Sequence, residues 1–177
     1  NAYFNSIAVI DADGKTLGIY RKLHIPQGPG YEEKFYFSLG NLGIRVWNTR
    51  FGCIGVGICW DQWFPEAARA MALMGAEMLF YPTAIGSEPE HPDFDSSEHW
   101  MTVQRGHAGA NMVPVAAANR TGYEEQGGVS LDFYGSSFIS GPRTDIRAKA
   151  SRNDEEIIYA DFDLAAIKKD RAEWGLF

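Results

Sequence analysis

Cys59 stands at the end of an apolar, glycine-spaced run, where its thiol could act as a nucleophile. Residues 54–58 are typical of a buried strand, and Pro65 can open a helix shortly afterwards. A thiol between a strand end and a helix N-terminus meets a partial positive charge that favours the thiolate. A free cysteine at a strand end is also often a small buried hydrophobe, so the spacing alone leaves both interpretations open.

A lysine and a glutamate upstream of this cysteine could assist such a thiol. Lys22 directly follows a predicted strand, where a lysine is most often the solvated end of the strand. Held beside the thiol instead, its charge would stabilise both a thiolate and an oxyanion. Glu33 lies in a long loop, residues 27–41, and its carboxylate would either lie in water or orient a substrate or Lys22.

The elements that must position these residues follow an alternating order. A short apolar strand, a helix and another short apolar strand predict a βαβ unit and a buried sheet. Residues 123–131 are expected to form an acidic, glycine-containing loop. The predicted strands are residues 5–10, 16–20, 44–49, 53–58, 77–82, 113–118, 133–140, 145–149 and 156–161, and the predicted helices are residues 65–74, 96–111 and 164–174. With no repeat and no linker, the pattern is that of one α/β domain.

Composition and charge limit the possible partners. The 177 residues are 45% hydrophobic and 22% charged, which predicts a globular domain with a real core. The net charge is −7 and no block of lysine and arginine stands out, so nucleic acid is not an expected partner. No run of about 18 apolar residues occurs, so no membrane-spanning helix is expected. The chain starts at Asn1 without a basic and apolar leader, so no signal peptide is visible.

The two cysteines are expected to stay unpaired. Cys53 and Cys59 would lie at opposite ends of one strand, roughly 20 Å apart and beyond disulfide reach. Two free thiols favour a reducing, cytoplasmic setting. The four histidines form no spaced cluster with cysteine or aspartate, so no metal site is expected.

Three segments in chain order point to a family. They are Tyr20-Arg21-Lys22-Leu23-His24-Ile25-Pro26, then Glu33, then Gly57-Ile58-Cys59-Trp60-Asp61-Gln62-Trp63-Phe64-Pro65-Glu66. Together they resemble the nitrilase superfamily of carbon–nitrogen hydrolases, and the likeness runs from about Tyr3 to the end of the chain. Within that superfamily, residues 29–37, 80–89 and 106–111 resemble the N-carbamoylputrescine amidohydrolases. The resemblance implies an α/β fold of the αββα sandwich type.

The resemblance also implies a Glu-Lys-Cys catalytic set supported by a second glutamate. Cys59 matches the nucleophile, Lys22 the lysine and Glu33 the second glutamate. The first glutamate, the family's general base, is expected upstream of residue 1 together with the family's first strands and helices. Residues 1–177 are therefore expected to be one hydrolase domain that is incomplete at the N-terminus. Four residues match the family's pocket walls and are expected to bind substrate: Trp60, Thr83, Ala84 and Ser87.

The implied reaction is hydrolysis of the terminal ureido group of a small molecule, N-carbamoylputrescine, to putrescine, ammonia and carbon dioxide. The resemblance implies neither a metal nor an organic cofactor. Glu88 and Asp61 are candidates for binding the far ammonium group of the substrate. Since the family forms dimers and larger assemblies, a homo-oligomer is expected, with the last helix and residues 174–177 at an interface.

Two alternative functions stay open at this point. A related amidase, such as a β-ureidopropionase or an ω-amidase, would act on an acidic substrate and require an arginine where this chain offers glutamate-rich loops. A truncated, non-catalytic subunit that binds full-length partners is favoured by the missing base. The presence of Lys22, Glu33 and Cys59 together argues against that second alternative.

Overall fold

The structure is a computed structural model that describes residues 1–176, and it alternates strands with helices. The strands are β1 (Ser6–Ile10), β2 (Thr16–Arg21), β3 (Val46–Thr49), β4 (Gly52–Val56), β5 (Met78–Thr83), β6 (Val115–Asn119), β7 (Thr121–Gln126), β8 (Val129–Tyr134), β9 (Phe138–Ser140) and β10 (Ile146–Lys149). The helices are α1 (Glu33–Tyr36), α2 (Pro65–Leu73), α3 (Ser97–Asn111) and α4 (Leu164–Trp174), and a 3₁₀ helix covers Cys59–Trp63.

Six of these strands form one mixed sheet. Its order in space is β10–β9–β6–β5–β4–β3, and the neighbours β4, β5 and β6 are parallel. Helix α2 connects β4 to β5 and helix α3 connects β5 to β6, which confirms the predicted βαβ unit. The carboxyl ends of the parallel strands lie at one edge of the sheet, where such folds place their sites.

The two faces of the sheet are covered by different layers. Helices α2 and α3 cover one face through a core that includes Ala68, Met71 and Ala108. The β1–β2 hairpin covers the other face, where Val9 and Tyr20 belong to the same core cluster as residues of β3 and β4. A helix layer, a sheet and part of a second β layer therefore follow one another, as the sandwich prediction requires.

The glycine spacing of β4 has a packing reason. A Cβ atom at Gly55 would lie 2.7 Å from Sδ of Met71 and 2.8 Å from Cδ2 of Leu79. Contacts this short do not occur between real side chains, so only glycine lets α2 lie this close to the sheet.

Several predicted segments differ in the structure. The single strand predicted at residues 133–140 is divided into the end of β8 and β9, and α1 lies within the loop predicted at residues 27–41. Residues 123–131, predicted as a loop, belong to the β7–β8 hairpin, which turns at Gly127 and Gly128 with φ of 62° and 82°. Two consecutive positive φ angles suit the tight turns that join antiparallel strands. The strand predicted at residues 156–161 is wrong, because within residues 1–176 no neighbouring strand pairs with it. Its apolar side chains Ile157 and Tyr159 are 79% and 80% exposed.

Residues 1–176 contain neither a membrane-spanning helix nor a cluster of metal ligands. None of the helices there is long and apolar enough to cross a membrane. Within the same residues, no group of three or more His, Cys, Asp or Glu side chains is arranged to hold a metal ion.

Candidate active site

Cys59 occupies a sharp turn directly after the central strand β4. It begins the 3₁₀ helix, and its φ of 44° lies in the left-handed region that a residue with a Cβ rarely adopts. The turn brings the Cys59 thiol to 3.9 Å from the carbonyl oxygen of Ala84, to which it donates a hydrogen bond. A strained turn that holds a side chain at the end of a strand is typical of nucleophiles in α/β hydrolases.

Lys22 is buried and paired, not a solvated strand end. Only 1% of its surface is exposed, and its Nζ lies 2.7 Å from Oε1 of Glu33. Glu33 is the first residue of α1, and its side chain meets Lys22 directly after β2. The structure therefore brings these two predicted site residues into direct contact.

Asn5 completes this pair and was not singled out in the sequence. Its Nδ2 donates to Oε2 of Glu33 at 3.1 Å, and its carbonyl oxygen accepts the Lys22 backbone N–H at 2.9 Å. Each carboxylate oxygen of Glu33 therefore accepts one hydrogen bond. The sequence carried no signal for Asn5, since the contact joins residues 28 positions apart.

The electrostatics of Cys59 favour a thiol at rest. Burial raises the pKa of the Cys59 thiol, and the Lys22 ammonium offsets part of that rise. The Ala84 carbonyl and the Thr83 hydroxyl also lower this pKa, whereas the Glu33 carboxylate raises it. The sequence predicts a helix N-terminus that favours the thiolate, but the net direction of the Cys59 pKa is upward because burial outweighs the groups that lower it. The thiol needs a proton acceptor before it can attack.

A cavity of about 390 Å³ opens in front of Cys59. Of the four expected substrate-binding residues, Trp60 and Ala84 line it. Thr83 lies behind Cys59, with its hydroxyl donating to Oε1 of Gln62 at 2.8 Å. Ser87 faces away, and its hydroxyl accepts the backbone N–H of Asp132 in β8 at 3.0 Å.

The charge of this cavity is acidic. Its lining includes Glu88 and Glu90 together with His91 and His99, and no lysine or arginine of residues 1–176 lines it. Glu88 is held by the Ser96 hydroxyl, which donates to its Oε1 at 3.4 Å. Because Glu88 lines the cavity and Ser96 binds only one of its two carboxylate oxygens, this candidate can bind a ligand there.

Asp61, the other candidate for an ammonium group, is not available. It is fully buried, and its two carboxylate oxygens accept four hydrogen bonds from Tyr20, His24 and Ile58. A carboxylate with so many internal donors has no acceptor capacity left for a substrate.

Tyr31 forms part of the cavity wall and was not assigned a role from the sequence. Its hydroxyl accepts the Gly86 backbone N–H at 3.0 Å and donates to the Ser87 carbonyl oxygen at 3.4 Å. Burial raises the pKa of Tyr31 to about 12, so it remains neutral. Tyr31 thus ties the loop before α1 to the loop after β5, on opposite sides of the cavity.

Comparison with known proteins identifies the family. The model of the family described as "Carbon-nitrogen hydrolase" matches residues 1–172. The chain belongs to this family. A crystal structure of the carbon–nitrogen hydrolase from Helicobacter pylori G27 superimposes with a TM-score of 0.91 at 46% identity, covering 99% of this chain and 62% of the other. The resemblance to the nitrilase superfamily and the α/β fold class are thereby confirmed.

Two curated relatives are more similar in sequence. The N-carbamoylputrescine amidase of Oryza sativa subsp. japonica is 58% identical over 100% of this chain. The citrullinase of Francisella tularensis subsp. tularensis is also 58% identical over 100% of this chain. This chain spans 60% of the length of the first relative and 62% of the second.

Proposed function

We propose that this protein hydrolyses the terminal ureido group of a small molecule with a cationic tail, N-carbamoylputrescine, using Cys59 as nucleophile. The observation that carries the proposal is the position of the Cys59 thiol between an acidic cavity and the buried Lys22–Glu33 ion pair. Acyl transfer from a neutral carbonyl requires a nucleophile and a positive group that stabilises the oxyanion, which the thiol and the ammonium supply. The cavity provides the space for the substrate.

The reaction begins when the Cys59 sulfur attacks the ureido carbon and its proton passes to a base. The oxyanion that forms is stabilised by the Lys22 ammonium and a backbone N–H after the nucleophile, that of Trp60. One carbon–nitrogen bond then breaks, and the departing nitrogen takes up the proton, because an unprotonated amide nitrogen is a poor leaving group. Water hydrolyses the remaining S-carbamoyl group, and the carbamate decomposes. One ureido group and one water yield the amine, ammonia and carbon dioxide.

Glu33 holds Lys22 and is not the base in this proposal. Its Oε1 binds the Lys22 ammonium and its Oε2 binds the Asn5 amide, so its carboxylate is engaged in holding Lys22 in place. We assign the proton transfer to the glutamate that the family resemblance implies as general base, which is not among residues 1–177.

The acidic cavity supports a cationic tail over an anionic one. Glu88 and Glu90 line it, and no lysine or arginine within residues 1–176 does so. A ligand carboxylate would meet uncompensated repulsion there, which disfavours a β-ureidopropionase or an ω-amidase. The similarity to N-carbamoylputrescine amidases supports the same choice and would place the protein in polyamine synthesis.

A second candidate substrate is citrulline. The citrullinase of Francisella tularensis is as similar to this chain as the rice N-carbamoylputrescine amidase, at 58% identity. Citrulline carries the same ureido group on a tail with both an ammonium and a carboxylate. The acidic lining would favour its ammonium and oppose its carboxylate, so we rank it second.

The test measures amine release from a panel of ureido substrates. The panel holds N-carbamoylputrescine, citrulline and β-ureidopropionate, and the products are quantified with the unmodified chain and with Cys59→Ala. Cys53→Ala serves as the matched control, since Cys53 is the chain's other free cysteine and lies outside this cavity. We expect the highest kcat/KM for N-carbamoylputrescine and loss of turnover only in Cys59→Ala.

The outcomes separate the alternatives. Turnover that survives Cys59→Ala contradicts the nucleophile assignment, and a preference for β-ureidopropionate contradicts the cationic-tail assignment. No release from the chain alone fits a base supplied from outside it, and the next preparation restores the upstream segment. If no amine is released even after the upstream segment is restored, the result favours the non-catalytic subunit.

The cellular setting is a further part of the proposal. Two free cysteines favour a reducing compartment, and we propose the cytoplasm. We also propose a homo-oligomer, with α4 at an interface, because none of its residues is buried in the described chain. Phe177, part of the end expected at that interface, lies outside the described residues. Light scattering of the purified chain tests the assembly, and a monodisperse monomer contradicts it.

A further inference from the structure

The carboxylate of Asp61 binds the chain on both sides of Lys22. Its Oδ2 accepts the Tyr20 hydroxyl at 2.8 Å, and its Oδ1 accepts the His24 backbone N–H at 3.0 Å. Nδ1 of His24 lies 2.7 Å from the same Oδ1. Tyr20 and His24 are two residues before and two residues after Lys22, so the lysine's segment is fixed at two points.

The same carboxylate binds the turn that carries Cys59. Its Oδ2 also accepts the Ile58 backbone N–H at 2.9 Å, and the Asp61 N–H donates to the Ile58 carbonyl oxygen at 3.1 Å. Ile58 is the residue directly before Cys59 and the last one before the strained φ. One fully buried group therefore contacts both segments that deliver the chemistry.

We propose that Asp61 is a positioning residue that sets the separation of Lys22 and Cys59 by binding the segments on which both are carried. This inference rests on the proposed function in that it assigns Lys22 to act on the Cys59 sulfur. Asp61 contacts neither the cavity nor the sulfur and acts only through its partners.

The chemistry of the contact requires a carboxylate. Four donors converge on two oxygens, and a carboxylate is the side chain that offers acceptor sites alone. An asparagine of the same shape would turn an N–H₂ group towards two of these donors. The His24 ring cannot easily swing away to relieve that clash, because it stacks on Phe64 at a centroid distance of 3.6 Å.

Positioning and plain electrostatics predict opposite effects on the sulfur. If Asp61 only adds a negative charge to the surroundings, its removal makes the Cys59 thiolate easier to form. If Asp61 holds Lys22 in place, its removal takes the ammonium away from the sulfur and makes the thiolate harder to form. A role confined to fold stability changes the melting temperature and leaves the sulfur's dependence on Lys22 unaltered.

The experiment measures the rate of iodoacetamide alkylation of Cys59 at about pH 8, in the full chain carrying Cys53→Ser so that one thiol reacts. Asp61→Asn is compared with its parent, first with Lys22 present and then in a Lys22→Met background. The matched control is Asp11→Asn, since Asp11 also accepts backbone N–H groups but lies in the β1–β2 turn. Tyr20→Phe gives the test a second variant should Asp61→Asn not fold, since it removes one donor to Asp61, and the acceptor of the Leu23 N–H, without removing a charge.

We expect Asp61→Asn to slow alkylation roughly tenfold when Lys22 is present and to have little effect in the Lys22→Met background. Tyr20→Phe slows it by a smaller factor, and Asp11→Asn leaves it unchanged. Faster alkylation in Asp61→Asn, or equal slowing with and without Lys22, overturns the proposal. Because no substrate is used, failure of the ureido reaction leaves this result standing, and a flat alkylation rate overturns the positioning role whatever the turnover.

Discussion

The ammonium of Lys22 lies 2.7 Å from Oε1 of Glu33, with the lysine side chain fully buried and the glutamate side chain 24% exposed. A buried ammonium without such a partner would incur a large desolvation penalty. The pair therefore keeps a positive charge beside the Cys59 sulfur, where it lowers the thiol pKa against the effect of burial. Glu33 acts on the sulfur in the opposite direction, so its benefit comes through Lys22.

Glu33→Gln should reduce kcat by roughly ten- to a hundredfold, since the amide keeps the shape and one acceptor but loses the ionic bond to Lys22. KM should change little, because neither Glu33 nor Lys22 lines the cavity. Steady-state amine release from N-carbamoylputrescine measures both constants.

Glu32→Gln is the matched control for this substitution. Glu32 is the neighbouring glutamate, and its Oε1 accepts only the Gly30 backbone N–H at the loop surface. An unchanged kcat in Glu33→Gln, or an equal loss in both variants, would reduce Glu33 to a loop residue.

Asn5→Ala should lower kcat by about fivefold to tenfold, less than the roughly 10- to 150-fold equivalent of one hydrogen bond to a charged group, because Asn5 acts on the sulfur only through Glu33 and Lys22. The substitution frees Oε2 of Glu33 and so loosens the carboxylate that holds Lys22. In a Glu33→Gln background the same change should have little further effect, because both substitutions act on one contact. The kcat values of the unmodified chain, the two single variants and the double variant form a double-mutant cycle, which gives the coupling energy between Asn5 and Glu33.

Asn41→Ala is the comparison for Asn5→Ala. Its Oδ1 accepts a hydrogen bond from the Arg21 guanidinium at 2.7 Å at the surface, so the substitution removes a charge-assisted hydrogen bond that does not involve Glu33. Full additivity of Asn5→Ala with Glu33→Gln would show that Asn5 acts on something other than the ion pair.

The sequence predicted the sheet better than it predicted the hairpin beyond it. The strands around Cys59 are short and apolar because helices and the β1–β2 hairpin bury both of their faces, and that pattern is visible in the sequence. The β7–β8 hairpin is exposed on most of its surface, with Glu124 and Glu125 side by side, so it lacks the alternation that identifies a half-buried strand.

The site was predictable where residue type carries the chemistry. A cysteine after a buried strand, and a lysine and glutamate upstream, are conspicuous by type, and the family resemblance assigned their roles. Asn5 is not conspicuous, and Asp61 was assigned only to the substrate's ammonium group, because their structural contacts join residues 28 to 41 positions apart. Pairings of that range are created by the packing of β1, β2 and the 3₁₀ helix and leave no local pattern.

Acid should destabilise the fold through His107, which is buried in α3 with Nε2 at 2.8 Å from the Gln62 carbonyl oxygen. Burial lowers the pKa of His107 below its usual 6.5. Below about pH 6.5 this histidine is therefore protonated in the unfolded chain but not in the folded chain. The free energy of unfolding then falls as pH falls, by at most about 1.4 kcal/mol per pH unit. Thermal melting between pH 7 and about pH 5 measures the slope.

His107→Gln should melt at a lower temperature throughout and lose this part of the pH dependence. His91→Gln, which alters an exposed histidine, should keep it. An identical slope in His107→Gln and the unmodified chain would assign the acid sensitivity to other groups.

Glu88→Gln should raise KM for N-carbamoylputrescine by about tenfold and leave kcat nearly unchanged, since an ion pair with the substrate's tail is the same in the ground state and the transition state. Glu88 lines the cavity, and Ser96 holds it there. Steady-state kinetics with N-carbamoylputrescine and with N-butylurea, which lacks the ammonium, provide the measurement.

N-Butylurea supplies the decisive comparison for Glu88. Because it carries no charge on its tail, its KM should be the same in Glu88→Gln and in the unmodified chain. The ratio of kcat/KM for the charged substrate to that for the neutral one should then fall by the same factor by which KM for N-carbamoylputrescine rises. Glu98→Gln, on the exposed side of α3 and outside the cavity lining, should behave as the unmodified chain with both substrates. An equal rise of KM for the charged and the neutral substrate would mean that Glu88 shapes the cavity and does not bind the ammonium.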